Sequence, residues 1–225
     1  MSRQPRSAQT RRALIRSAAQ TFDEHGYPRA KLTAISAGAG VSTGALHFHF
    51  DTKAAVAAAV EDEAARTLHE SARTVRHLTP DPLQALVDTT HVLARQLATD
   101  VVARAGYRLN CQSAYRSGPD LRTRWHVCVR ELLDRAGEQE LLVPGLAAEE
   151  SATALVGATT GFEVLAREDA NWLTPSAVTG LWRSFLPMLA GPGAPQTPEP
   201  SDTRTTPRIR RRTAAAQRTA SELVR

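Results

Sequence analysis

Hydroxyl, glycyl and imidazole groups crowd one short stretch of the 225-residue chain: Ser42, Thr43, Gly44, Ala45, His47 and His49, with Lys53 just beyond. Serine and threonine offer hydroxyls and, where a helix starts, the free amides of its first turn, and both suit phosphate oxygens or base edges. Gly44 and Ala45 leave room for close backbone approach, and His47 and His49 can reach a sugar-phosphate rim. As metal ligands the two histidines lack a third partner, and Cys111 and Cys128 lie outside any Cys-x-x-Cys pair. Neither a zinc site nor a disulfide framework is therefore expected, and the thiols read as reduced and packed. Gly-x-Ser-x-Gly and Walker patterns are absent, and Gly38 and Gly40 follow a helical pattern instead of a strand, so no catalytic residues, cofactor or metal are expected.

The elements that position these groups read as helices throughout, because apolar residues recur at spacings of three and four with no alternating β-branched run. An all-α fold without strands is expected. A first helix over 9–25 carries Ala13, Leu14, Ala18 and Phe22 on one stripe and ends at Gly26 and Pro28. A second, over 32–39, turns at Gly40 and Val41 into a third capped by Ser42, with Leu32, Ile35, Val41 and Leu46 as the small core locking the pair. Such a pair can lay its second helix in a DNA major groove.

A longer helix from Thr52 to about Val75 connects this unit to a helical body, and Pro80 and Pro82 break the chain after it. The body is expected to contain helices over 82–99, 101–116, 119–138, 147–167 and 175–190. From Gly191 the composition shifts to Pro, Thr and Arg, which predicts a disordered tail. The expected division is thus a DNA-binding unit over 1–53, a helical ligand-binding and dimerisation unit over 54–190, and a tail over 191–225.

Charge follows the same division. Residues 1–53 carry eight Lys/Arg against three acids, and residues 201–225 carry seven arginines against two acids. The remainder is net negative. An N-terminal unit with a positive field beside a negative body suggests a polyanion partner at one end only, although a solvated charged surface gives the same pattern. The longest apolar run, 54–60, is too short to span a bilayer, so a cytoplasmic protein without a membrane partner is expected.

Residues 39–53 resemble the DNA-binding pattern of the TetR family of bacterial repressors, Ala-Gly-Val-Ser-x-Gly-x-Leu-Tyr-x-His-Phe-x-x-Lys. Thr43 stands where the family often has Lys or Arg, and His47 where it has Tyr. The resemblance implies DNA contacts from Thr33, Ser42, Thr43, Gly44, Ala45, His47, His49 and Lys53, and a homodimer on a pseudo-palindromic double-stranded operator. Farther on, Gly106, Tyr107 and Leu109, the helix of Trp125, Gly161 with Phe162, and Leu181 with Trp182 are similar to the γ-butyrolactone receptor subgroup. The subgroup implies a lactone, butenolide or furan as effector, whereas this chain's basic overall charge is nearer the pseudo-receptor branch, which implies an antibiotic or other end product instead.

Taken alone, Trp125 reads as core; the resemblance makes it a pocket residue that stacks on a small ring and donates one N–H. Val87, Leu109, Thr159 and Thr160 are placed in the same lining, although threonines on an apolar helix also bond their own backbone. Leu181, Phe185 and Met188 form a stripe that suits either a dimer interface or monomer core. Trp172 and Trp182 receive no ligand role. The competing reading is a polyanion-binding interaction or DNA-packaging module that takes no small molecule, the arginine-rich tail supplying affinity without specificity.

Overall fold

The computed structural model describes residues 3–112, 114, 116–192, 194 and 199–201, with side chains from residue 6 onward. Among them the chain forms nine α-helices and one 3₁₀ turn, with a lone antiparallel bridge between Leu142 and Ala190. The helices are α1 (Arg3–Arg29), α2 (Leu32–Gly38), α3 (Thr43–His49), α4 (Lys53–Leu78), α5 (Pro82–Thr99), α6 (Val101–Cys111), α7 (Leu121–Glu138), α8 (Ala148–Leu165) and α9 (Pro175–Leu189), with the 3₁₀ turn Ala170–Leu173 between α8 and α9. The helical path of α1 breaks at Gly26, so its regular part ends where the glycine stands in the sequence.

Side-chain caps fix many of the starts. Thr52, Asp81, Asp100, Asp120 and Thr174 each accept an amide of the turn they open, an interaction worth about 1 kcal/mol apiece. Pro82 and Pro175 sit in the first turn of α5 and α9, where a missing N–H costs nothing.

Two apolar cores result. The N-terminal core joins Leu14, Phe22, Ile35, Leu46 and Phe50 to Val56, Ala57, Ala59 and Val60 of α4 and to Ala105 and Leu109 of α6. It therefore runs past the expected division at residue 53. The C-terminal core gathers Leu83, Leu86 and Val87 of α5, Val129, Leu132 and Leu133 of α7, Leu155 of α8, and Trp182, Leu186 and Leu189 of α9. α4 and α6 belong to both cores, and they meet at Gly106. A Cβ there would stand 2.6 Å from Val60 O, and closer still to Ala64 Cβ, so only glycine lets the two helices touch.

Two expectations change. The helix expected over 101–116 ends at Cys111, because the amides of Ser117 and Gly118 turn back to a buried carboxylate on α4 instead of continuing the helix. The chain after Gly191 also returns to the body: Ser201 N donates to the buried Asp88 of α5 at 2.7 Å. The arginine-rich segment and its expected disorder lie outside the described residues.

Candidate nucleic-acid interface and ligand cavity

α3 starts at Thr43 because Ser42 Oγ accepts the amide of Ala45 at 3.1 Å. The turn before it passes through Gly40 at φ +69°, a left-handed conformation that favours glycine. Ser17 Oγ of α1 donates to Ile35 O at 2.8 Å, and Leu46 packs fully buried in the same core, so α2 and α3 are locked onto α1. Thr43 Oγ1 lies 3.4 Å from Ser36 Oγ, tying the first turn of α3 to α2. Thr33, Ser42, Gly44 and His47 remain exposed, and Thr43, Ala45 and His49 half-buried, so seven of the expected contact residues gather on α3 and the start of α2.

Lys53 does not join them. Its Nζ donates to Tyr27 O, Pro28 O and Ala30 O at 2.9, 3.1 and 3.2 Å and lies 4.6 Å from the Tyr27 ring centroid. An ammonium has three protons, so all are used in capping the end of α1, and the residue expected among the DNA contacts is held there instead. Phe48, which the sequence reading passed over, is 81 % exposed on α3, its ring meeting His49 edge-on at 5.2 Å. Its signal was position: it stands off the stripe that buries Ile35 and Leu46, where an apolar side chain has no core to enter. Exposed arginines on α1, Arg6, Arg11, Arg12 and Arg16, meet no carboxylate among the described residues. They leave a basic surface on the same unit.

A cavity of about 680 Å³ lies within the helical body, walled by α4 to α9 and the 3₁₀ turn. Its volume suits a drug-sized ligand. Trp125 and Thr159 line it, together with Thr90, Leu93, Tyr107 and Phe162. Trp125 Nε1 donates to Thr159 Oγ1 at 3.0 Å, and that hydroxyl is 2.9 Å from Leu155 O, to which it donates. The indole N–H expected to meet a ligand carbonyl is thus already satisfied; what the pair offers is the indole face and the second lone pair of Thr159.

Three expected lining residues lie elsewhere. Val87 is fully buried in the C-terminal core, Leu109 faces the N-terminal core, and Thr160 does not border the cavity but bonds the Tyr107 side chain. Burial, followed by the neighbouring Cys111, pushes the Tyr107 phenol well above its ordinary value, so it meets the cavity as a neutral hydroxyl. Burial likewise raises the thiols of Cys111 and Cys128 and keeps them protonated. No metal-holding group of side chains occurs among the described residues, and no helix there is long and apolar enough to cross a membrane.

Polar networks join the cavity wall to the N-terminal unit. Glu61 of α4, only 2 % exposed, accepts from Ser117 N and Oγ at 3.0 and 2.8 Å, while Asn110 Oδ1 accepts the amide of Leu121, a lining residue, at 2.8 Å. A second network crosses three helices. Asp23 of α1 receives Arg104 Nε at 3.0 Å and Arg108 Nη1 at 2.6 Å, and Arg108 Nε continues to Glu163 of α8 at 3.2 Å.

The arrangement of α1 to α3 with a helical body also appears in known proteins. The profile of the family described as bacterial regulatory proteins, tetR family, matches residues 14–60. The A-factor receptor protein of Streptomyces griseus is 33 % identical over 194 residues, covering 86 % of this chain and 68 % of that protein. A γ-butyrolactone receptor (ArpA-like protein) of known crystal structure superposes with a TM-score of 0.73 at 29 % identity, over 82 % of this chain and 90 % of that one. CprB of Streptomyces coelicolor, solved in complex with its biological operator sequence, gives a TM-score of 0.71 at 30 % identity, over 83 % of this chain and 90 % of its own. The chain belongs to the TetR family of bacterial transcriptional regulators and is a γ-butyrolactone receptor-like member of it.

Proposed function

We propose that this protein is a ligand-responsive repressor that acts as a homodimer on a pseudo-palindromic double-stranded operator. An effector of the lactone, butenolide, furan or antibiotic class enters the cavity and releases the DNA. The observation that carries this reading is the double membership of α4: Val56 and Val60 pack in the core that holds α3, and Ala65 and Leu68, between one and about three turns further on, line the cavity. A helix is stiff over that length, so a ligand that tilts its far half about the Gly106 contact reorients α3. Thr33, Ser42, Thr43, Gly44, Ala45, His47 and His49 serve as the DNA-facing set, joined by Phe48, whose ring suits apolar contact with a thymine methyl.

One seven-residue helix reads few bases, and a two-fold dimer doubles the site, with recognition helices about 34 Å apart or a near multiple of it. Apolar side chains left exposed on the last two helices, Val164, Leu165 and Met188, supply surface for pairing. The stripe Leu181, Phe185 and Met188 divides: the first two pack against the core of their own chain and Met188 points outward.

The test is selection of bound sequences from a random duplex library, followed by binding in excess competitor DNA. An inverted repeat bound by an even number of protomers is expected. Binding without sequence preference would favour the packaging alternative.

A further inference from the structure

The cavity lining is uneven in charge. Its aliphatic and aromatic part includes Leu93, Leu97 and Phe162, yet four arginines also border it, Arg73 and Arg76 from α4 and Arg124 and Arg135 from α7, against one carboxylate, Glu131. That carboxylate is already engaged by Arg76 at 2.9 Å. Arg73, Arg124 and Arg135 have no partner among the described residues. Arg76 and Arg135 are half-buried, while Arg73 and Arg124 are exposed, so these two guanidinium groups border the apolar cavity where it meets solvent.

Like charges held around a low-dielectric cavity repel one another, and an anion placed among them removes that repulsion. A guanidinium also offers a planar fork of donors that matches a carboxylate, which a neutral lactone cannot answer with two charged acceptors. We infer that the effector is an amphiphile with a carboxylate head: its apolar body lies against Trp125 and Phe162, and its head is held at the rim by Arg73 and Arg124. This rests on the cavity being the effector site and narrows the class of molecule it takes.

Calorimetric titration of the full-length protein with 4-hexylbenzoic acid, its methyl ester and 4-hexylbenzyl alcohol tests it, since the three differ only in the head. The acid is expected to bind about tenfold or more tighter than the other two, a margin that charge-assisted hydrogen bonds supply and that shrinks as salt is raised. The exposed pair Arg73→Gln with Arg124→Gln should erase the preference while leaving ester affinity and the melting temperature unchanged. Trp125→Ala should weaken all three. Equal binding of acid, ester and alcohol, weakened by Trp125→Ala, would overturn the anionic head and leave the cavity reading standing. Binding untouched by Trp125→Ala in a protein that still melts cooperatively, or no binding of any of the three, would overturn both.

Discussion

The Asp23 carboxylate of α1 holds the Arg108 guanidinium of α6 at 2.6 Å, and the same arginine reaches Glu163 of α8, itself only 3 % exposed. One residue therefore links the DNA-facing unit to the helix that carries Thr159 and Phe162 into the cavity. Asparagine offers one neutral acceptor oxygen where Asp23 serves both Arg104 and Arg108, so one partly buried guanidinium is left short of a partner. Asp23→Asn is expected to lower unfolding free energy by about 1–3 kcal/mol. It should also reduce the factor by which effector weakens operator binding. Denaturant unfolding and operator titrations with and without effector measure both, and an unchanged factor would show the link to be structural only.

Gly106 makes a sharper prediction, because the atoms facing it are a backbone carbonyl and a Cβ, neither of which can swing away. Gly106→Ala should force α4 and α6 apart at a cost of about 1–3 kcal/mol, typical of overpacking. A drop in melting temperature together with weaker operator binding is expected. A variant that melts with the wild type would mean that the helices do not touch as described.

Lys53 separates two roles that its place in the family pattern confuses. As the cap of α1 it should contribute to stability and little to phosphate binding, so Lys53→Gln is expected to lower unfolding free energy by about 1–3 kcal/mol while the salt dependence of operator binding holds. A phosphate contact would instead change the slope of log K against log salt by about 0.9. Measuring both quantities on one variant decides between them.

The α3 residues outside the core, His47 and Phe48 exposed and Thr43 half-buried, should behave in the opposite way. Thr43→Ala, His47→Ala and Phe48→Ala are each expected to weaken operator binding by about 1–3 kcal/mol, the scale of a good base contact, with melting temperature and effector affinity nearly unchanged. Loss of both functions together would point to misfolding.

Much of this was legible in the sequence for local reasons. Ser42, Thr52, Asp81 and Thr174 mark helix starts because their side chains satisfy amides within three residues, and Gly26 and Gly40 mark the turns because their backbone requirement is their own. What the sequence could not decide was which of two cores a buried residue enters. Tyr107 and Leu109 stand two residues apart on α6, roughly 200° around the helix, so one borders the cavity and the other packs beneath α1 to α4. Both look equally apolar in the pattern. Lys53 escaped for a similar reason: its partners are carbonyls more than twenty residues earlier, and a basic residue shows no preference for carbonyl over phosphate.

Tyr107 predicts the pH response. Its phenol is raised by burial, so the folded state favours the protonated form, and its contribution is fully present below the ordinary tyrosine value of 10.0 and is lost as pH climbs beyond it toward the folded value. Wild type should therefore lose stability above about pH 10 more steeply than Tyr107→Phe. Denaturant midpoints of the two proteins across that range give the comparison, and parallel curves would place the phenol in water.

The central claim, that occupancy of the Trp125 cavity releases the DNA, is tested most directly by displacing operator from wild type and Trp125→Ala with the same effector, chosen as the lactone, butenolide, furan or antibiotic that releases wild type at the lowest concentration. By linkage the effector must weaken operator binding by the factor by which operator weakens effector binding, typically about 1–3 kcal/mol. Trp125→Ala is predicted to bind operator as wild type does and to require at least about tenfold more effector for release, the loss expected when a buried aromatic surface is removed. Release of both proteins at the same effector concentration would contradict the claim and return Trp125 to the core.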